Sequence, residues 1–469
     1  MDHKQSAPRP VVWGGITAVS AVFFIALTLV PQVTAQGSQG GASSSEEALG
    51  LFEQVYEFVQ RSYVEEVDPD TLIEGALEGM FEALDDPHSA YLDTEEMRGL
   101  TDTTSGEFGG VGMYISKPIR NNGRSQYVEV VSPIEDTPAF RAGLRAGDRI
   151  MEVEGESTAD MSVDDVVDLL RGEPGTEVGI RILRGEELEF PVALERAVIQ
   201  VPTVKSDMID ETTAFLRIIQ FTPHTDERVR EAVDEFRNAG YESLIVDLRS
   251  NPGGLLSGVV DVSNLFFDGG LVVETRGRVP RENQRYTADS GKDVDDHIEV
   301  VVLIDGGSAS AAEILAAALK DRERATLIGR TSYGKGSVQQ VRRIGRAGFR
   351  LTMARYYTPA GTDIDEVGVE PDIVVKEDEL SHTEQEAYIQ LQEERRIEGF
   401  VQRVGEPSDQ ELTEFIAGLQ DEGFEVTERY IRRLVRVEVN RTLNRDEAYD
   451  LEYDRVLQRA MEFLEQRRQ

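Results

Sequence analysis

Ser310 lies in Asp305-Gly306-Gly307-Ser308-Ala309-Ser310-Ala311-Ala312-Glu313-Ile314-Leu315, where an apolar strand end runs through small residues into a helix start. Small side chains leave a hydroxyl bare on a tight turn, and the free N–H groups of a helix N-terminus favour a developing oxyanion. That is a setting for a nucleophilic serine, which still needs a base. None of the five histidines fills the role: His3 precedes an apolar run, His88 and His224 lie in turn-like strings, and His297 and His382 sit among acids. A lysine can be the base if burial leaves it neutral near the working pH. Lys335 is the candidate, one of only seven lysines, in Tyr333-Gly334-Lys335-Gly336-Ser337-Val338-Gln339 just after an apolar run. A phosphate-gripping loop is discounted, because there the lysine is followed by Ser or Thr and here it is followed by Gly336. Ser308 is expected to bond local backbone as turn serines do, and Glu313 to serve the helix N-terminus electrostatically, neither being catalytic. With no cysteine in the chain, thiol nucleophiles, disulfides and thiolate metal sites are excluded.

The elements that must hold these groups follow from periodicity. Between about 201 and 375, strand-like runs at 213–219, 243–248, 299–304 and 325–328 alternate with helical ones at 227–239 and 311–320, which predicts an α/β sheet domain. Upstream, from about 107 to 196, short β-type runs separated by Gly and Pro, with one helical stretch at 163–170, predict a small β-rich module. It opens on Phe108-Gly109-Gly110-Val111-Gly112-Met113, a glycine-rich backbone whose N–H groups could turn together on a terminal carboxylate beside a strand edge open to an extended peptide. With Ala142-Gly143-Leu144 and Gly147-Asp148-Arg149-Ile150 following, the module resembles a PDZ domain. Its bland alternative is a module that only packs against its neighbours. Earlier still, Leu51, Phe52, Val55, Phe58 and Val59, then Leu72, Ala76, Leu77, Met80, Phe81 and Leu84, recur at helical spacing and predict two amphipathic helices leading to the turn-rich string Asp85-Asp86-Pro87-His88-Ser89-Ala90-Tyr91-Leu92.

Ser-Ala-Ser-Ala-Ala-Glu-Ile around Ser310, followed 25 positions later by the lysine of Tyr-Gly-Lys-Gly-Ser-Val-Gln, resembles the carboxyl-terminal processing (tail-specific) serine peptidases. The resemblance covers nearly the whole exported chain. It implies Ser310 as nucleophile, Lys335 as base and Gln339 as the group that orients the lysine. Val246-Asp247-Leu248-Arg249-Ser250-Asn251-Pro252-Gly253-Gly254 matches the same family and implies an oxyanion hole from Gly253 or Gly254 together with Ala311, the choice of glycine being open. Glu366-Val367-Gly368-Val369-Glu370-Pro371-Asp372 usually closes the core in these enzymes. Ala312 replaces the usual serine two positions after the nucleophile, a departure that leaves the nucleophile itself intact.

At 469 residues the chain exceeds one core. The expected organisation is multidomain α+β: 1–35 a signal peptide or membrane anchor, 36–45 a Gly/Ser linker, 46–105 a helical segment packing on the protease core, 106–196 the PDZ-like module, 197–376 a crotonase-like or ClpP-like α/β core, and 377–469 a charged helical region that could build a homo-oligomer. Basic residues before the apolar run 11–30 and acids beyond it place the bulk outside the cytoplasm, with cleaved signal and uncleaved membrane anchor both open. The expected setting is periplasmic or otherwise extracytoplasmic. With 88 acidic against 49 basic residues and a net charge of −39, nucleic acid is not an expected partner. The partners expected are protein or peptide substrates with free C-terminal tails, and no cofactor or metal is called for. Two other readings compete: a catalytically silent PDZ scaffold at the membrane surface, and a crotonase-like lyase or hydratase, which should show a basic CoA-binding surface.

Overall fold

The computed structural model describes residues 45–117, 127–134, 137–185, 188–376, 381–443, 445 and 447–468. The apolar run 11–30 and the linker expected after it lie outside these residues. No described helix is long and apolar enough to cross a membrane. The chain divides into two units, 1–76 and 77–469. In the first, the helix Ser45–Ser62 forms on the spacing expected, with Leu49, Leu51, Phe52, Val55 and Phe58 exposed on it.

The second unit is organised by a six-stranded sheet in the order Val204–Met208, Thr213–Ile218, Ser243–Asp247, Glu299–Ile304, Thr326–Gly329 and Ile373–Val374. The first pair is antiparallel and the others are parallel. Every residue of Ser243–Asp247 is buried, because both faces of the sheet are covered. Leu244, Val246, Val300 and Val302 face one core with Val229, Val233, Val259, Val262, Ile314 and Leu315, contributed by the helices Thr225–Ala239, Leu256–Asn264 and Ala311–Asp321. The alternate residues Phe215, Ile245, Val301, Leu303 and Ile328 face Val456, Leu457, Ala460 and Leu464 of the last helix, Arg455–Arg468. The period of two sends successive side chains to opposite faces, so a continuous apolar strand supplies two cores at once. The loops after Asp247 and after Ile304 leave the carboxyl ends of neighbouring parallel strands, which brings the two candidate catalytic turns side by side.

A second sheet, five-stranded and antiparallel, was not expected from the pattern. It contains Ala90–Leu92, Leu271–Arg276, Gln284–Thr287 and the long hairpin Ser337–Ile344 with Ala347–Tyr357. Lys335 lies just before that hairpin, separated from Ser337 by Gly336.

The β-rich module is a sheet in the order Met113–Ser116, Val128–Pro133, Arg149–Val153, Glu177–Arg184 and Leu188–Glu195. It is closed by the helix Val163–Leu170 over a core of Val128, Val130, Ile150, Val166, Val178 and Ile182. Among the described residues Met113–Ser116 is an edge strand, paired on one side only. Helices His382–Glu393, Arg396–Val404, Asp409–Asp421 and Glu428–Thr442 share a separate core around Leu391, Phe400, Leu419 and Ile431.

Candidate active site

Ser310 ends the turn between Glu299–Ile304 and the helix Ala311–Asp321 with φ 54° and ψ −115°, a backbone that L-residues adopt only when their surroundings enforce it. The enforcement is visible. Asp305 Oδ1 accepts the N–H of Gly307 (2.9 Å) and of Ser250 (2.9 Å). Ser308, fully buried, donates its hydroxyl to Leu248 O (2.8 Å) and accepts Asp305 N–H (3.0 Å), a structural role as expected from its place in the turn. Ala309 N–H donates to Asn251 O at 2.9 Å. Ser310 itself is 8% exposed.

Glu313 does more than complement the helix. It is fully buried, and its two oxygens accept four hydrogen bonds. Oε2 takes the N–H of Ser310 (2.8 Å) and of Lys335 (2.9 Å), and Oε1 takes Gly334 N–H (2.7 Å) and the Ser332 hydroxyl (2.6 Å). One carboxylate thus fixes the backbone of both Ser310 and Lys335. Capping grammar predicted an acid here, but not its lysine-loop partners, which lie 19 to 22 positions away. The Glu366–Asp372 string closes over the same loop: Val369 N–H reaches Ser332 Oγ (2.6 Å), and Glu366 N–H reaches Gly334 O (2.8 Å).

Lys335 is half-buried, and this burial, followed by the positive charge of Arg350, lowers its pKa, with Glu313 opposing in part. The Arg350 Nε is itself buried without a hydrogen-bond partner among the described residues. Among the described residues no hydrogen bond joins Lys335 Nζ to Ser310 or Gln339. Such contacts often tighten only when substrate is bound. Burial pushes the pKa of the Tyr356 phenol up to about 12, with the nearby Ser310 hydroxyl opposing in part. Tyr356, Ala354, Thr352 and Arg350 lie along Ala347–Tyr357, whose register against its hairpin partner shifts by one residue between Thr352 and Ala354. Gln339 faces Thr352 across the hairpin. These strand residues carried no motif signal.

The second turn is as strongly built. Asp247 and Asp454 both grip the Arg249 guanidinium, with nitrogen–oxygen distances of 2.6–2.9 Å, and hold it charged. Buried Asn251 donates to Ile218 O (2.8 Å) and accepts Gly253 N–H (2.8 Å). Gly253 packs on the Ser310 turn: a Cβ there would lie 2.8 Å from both Ala309 O and Ser310 Cβ. Its neighbour Gly254 bridges to Phe221, and neither the Gly254 nor the Ala311 N–H has a partner among the described residues.

Residues 212–375 match the model of peptidase family S41, residues 129–184 that of a PDZ domain, and residues 20–96 that of the activating protease CtpB N-terminal domain. A carboxy-terminal-processing protease of Bartonella bacilliformis is 39% identical over 367 residues, covering 76% of this chain and 82% of that protein. The chain belongs to the carboxy-terminal processing protease family. The carboxy-terminal processing protease CtpA of Bacillus subtilis is 33% identical over 362 residues, covering 76% of each. A solved photosystem II D1 C-terminal processing protease is 29% identical and superposes with a TM-score of 0.42, covering 71% of this chain and 94% of its own. The chain is therefore a serine peptidase with a PDZ domain, which sets aside the silent scaffold and the lyase.

In this peptidase the expected tail-reading residues are not all equivalent. Phe108, Gly110, Val111, Gly112 and Met113 line a cavity of about 120 Å³ with Ile115, Val167, Leu170 and Arg171. Gly109 does not line it; a Cβ there would lie 2.3 Å from Gly172 O, so its smallness serves close packing. Gly112, at φ 78°, leads into the open edge strand. The Arg171 guanidinium stands 5.1 Å over the Phe108 ring and pairs with Asp102 at 2.7 Å. No group of three or more His, Asp or Glu that could hold a metal occurs among the described residues.

Proposed function

We propose that this chain is an exported endopeptidase that takes the C-terminal tail of a protein substrate on its PDZ domain and cleaves the polypeptide with a Ser310/Lys335 dyad through an acyl-enzyme. The observation that carries the reading is the Glu313 carboxylate, which holds the N–H groups of Ser310 and Lys335 on one oxygen. Neutral Lys335, favoured by burial and by Arg350, takes the Ser310 proton as Oγ attacks the scissile carbonyl carbon. The charge that develops on the carbonyl oxygen is met by the N–H groups of Ala311 and Gly254. Gly254 is favoured over Gly253 because the Gly253 N–H already donates to Asn251. Collapse breaks the C–N bond, the Lys335 ammonium protonates the leaving amine, and water activated by the same lysine then releases the acyl group. Gln339 orients Lys335. The tail enters as a strand added to Met113–Ser116, with its carboxylate at the Phe108–Met113 loop and an apolar last side chain in the adjoining cavity.

The reading is tested by incubating protein from residue 36 onward with a partly unfolded substrate. Ser310→Ala, Lys335→Ala and Lys335→Arg should each abolish cleavage with unchanged circular dichroism, because a dyad acts as one unit and a guanidinium cannot accept the proton. Wild-type cleavage by Lys335→Ala would remove lysine as the base.

A further inference from the structure

Most of the anchors of the turn Arg249-Ser250-Asn251-Pro252-Gly253-Gly254 belong to the sheet and the nucleophile turn. Ser250 N–H donates to Asp305 Oδ1 (2.9 Å), Asn251 O accepts Ala309 N–H (2.9 Å), and Gly253 O accepts Phe221 N–H (2.9 Å). One anchor comes from the far end of the chain. The Arg249 guanidinium meets Asp454, 205 positions on, with Nη1–Oδ1 at 2.9 Å and Nη2–Oδ2 at 2.6 Å. Its Nε and Nη2 also reach the two oxygens of Asp247, at 2.9 and 2.7 Å.

Asp454 serves two elements at once. Its Oδ1 accepts Leu457 N–H (2.9 Å) at the start of the last helix, Arg455–Arg468, while both its oxygens clamp Arg249. That helix is the one covering the second face of the parallel sheet. The side chains of Arg249 and Asp454 are 13% and 14% exposed, so water competes little for this two-pronged pair.

The residue next to the clamp is strained. Ser250 has φ 55°, a left-handed backbone that an L-residue keeps only where its surroundings over-determine it. Asp305 pins its N–H, and Asp247 and Asp454 pin the residue before it through the side chain. Relaxation of Ser250 to negative φ would rotate the peptides that follow and carry the Gly254 N–H off the place where the carbonyl charge develops.

We infer that Asp454 is a positioning residue for the oxyanion hole: through Arg249 it holds Ser250 in its strained backbone, which makes the C-terminal segment part of the catalytic apparatus. The inference rests on the reading of the Gly254 and Ala311 N–H groups as that hole.

The test uses full-chain Asp454→Asn, which keeps the side-chain shape and a capping oxygen but removes the charge. It is assayed at a temperature where melting curves show wild type and variant both folded. The readouts are kcat and KM on a partly unfolded protein, and the Ki of a peptide boronic acid copying the residues before the cleaved bond. Ser310 Oγ adds to the boron, its proton passes to Lys335, and the tetrahedral adduct places an oxygen in the hole. Deleting one oxyanion donor costs about 10²–10³ in kcat, so displacing one should lower kcat about tenfold, with KM unchanged within about twofold. Boronate binding should weaken by the same factor, because it follows the transition state and not the substrate. Adding Ser250→Gly should return most of both losses, since glycine takes positive φ at no steric cost. A role in stability alone would move the melting curve and neither readout.

Asp454→Asn at wild-type kcat and boronate affinity, or losses that Ser250→Gly leaves untouched, would overturn the inference while leaving the hole standing. A boronate bound by wild type no more tightly than the matching peptide carboxylic acid would overturn the hole and the inference with it. If Asp454→Asn does not fold, Arg249→Lys, which keeps the charge and loses the planar fork, carries the same measurements with the same outcomes.

Discussion

Replacing Glu313 with Gln should uncouple the lysine loop from the Ser310 turn, and the structure sets the size of the effect. The carboxylate accepts two hydrogen bonds on each oxygen, and an amide keeps only one accepting atom. With the NH₂ at the Oε2 position, it would face two donors, the N–H groups of Ser310 and Lys335. At the Oε1 position it faces only one obligate donor, Gly334 N–H, since the Ser332 hydroxyl can rotate to accept. The second arrangement is cheaper, and it still leaves one buried N–H unsatisfied at about 1–3 kcal/mol while turning two charge-assisted bonds into neutral ones. The expected total is about 2–4 kcal/mol of local stability, and a displacement of the lysine near 1 Å would lower kcat on the order of 10²-fold. Hydrogen exchange of the peptide spanning 330–336, measured in a Ser310→Ala background to prevent self-cleavage, reads the first quantity. Steady-state proteolysis by the single variant reads the second. Protection and kcat both at wild-type values in Glu313→Gln would refute the argument that this carboxylate joins the two halves of the site.

Cleavage should rise with pH through an ionisation below the ordinary lysine value of about 10.4, and Arg350→Gln should move that rise to higher pH by removing the cation that disfavours the ammonium form. An unmoved profile in Arg350→Gln would show that burial alone sets the base. Asp454→Asn should lower stability by about 3 kcal/mol, since it strips one partner from a buried guanidinium. Burial opposes the charge of Asp454, but its bonds to Arg249 hold the carboxyl below its ordinary range, so this contribution is present above about pH 4 and fades as pH falls; acid melts of Asp454→Asn should be correspondingly flatter. Gly112→Ala, with φ at 78° and a Cβ that would lie 2.3 Å from Thr137 Cβ, should raise KM for substrates with free apolar tails more than for amidated ones. Equal effects on both would separate the glycine from tail reading.

The strands of the parallel sheet, the helix after Ser310 and the helix of the PDZ domain were legible because their periods are set by burial on defined faces. The loop glycines at 253 and 254 were legible as a pair but not individually. What distinguishes them is that Asn251 Oδ1 has taken one N–H, a fact of three-dimensional hydrogen bonding. The Ala347–Tyr357 strand escaped because its two faces are both partly buried and carry Arg350, Thr352 and Arg355 among apolar residues, so no clean alternation survives. Tyr356 and Thr352 carry no sequence signal for the same reason. Glu313 reads in sequence only as a helix-capping acid, since its other partners are brought to it by the Lys335 loop and not by spacing. The last helix reads as charged in sequence. Its Arg and Glu residues surround Val456, Leu457, Ala460 and Leu464, and that narrow stripe suffices to cover the second face of the sheet.

An acyl-enzyme formed on Ser310 with Lys335 as its base can be trapped by rapid quenching of the protease with a tail-bearing substrate, followed by intact-mass measurement and peptide mapping. The expected product is a covalent adduct with the mass of the substrate's N-terminal fragment, mapped to Ser310, and absent from Ser310→Ala and Lys335→Ala. An adduct mapped to another residue, or undiminished cleavage by Ser310→Ala, would contradict it.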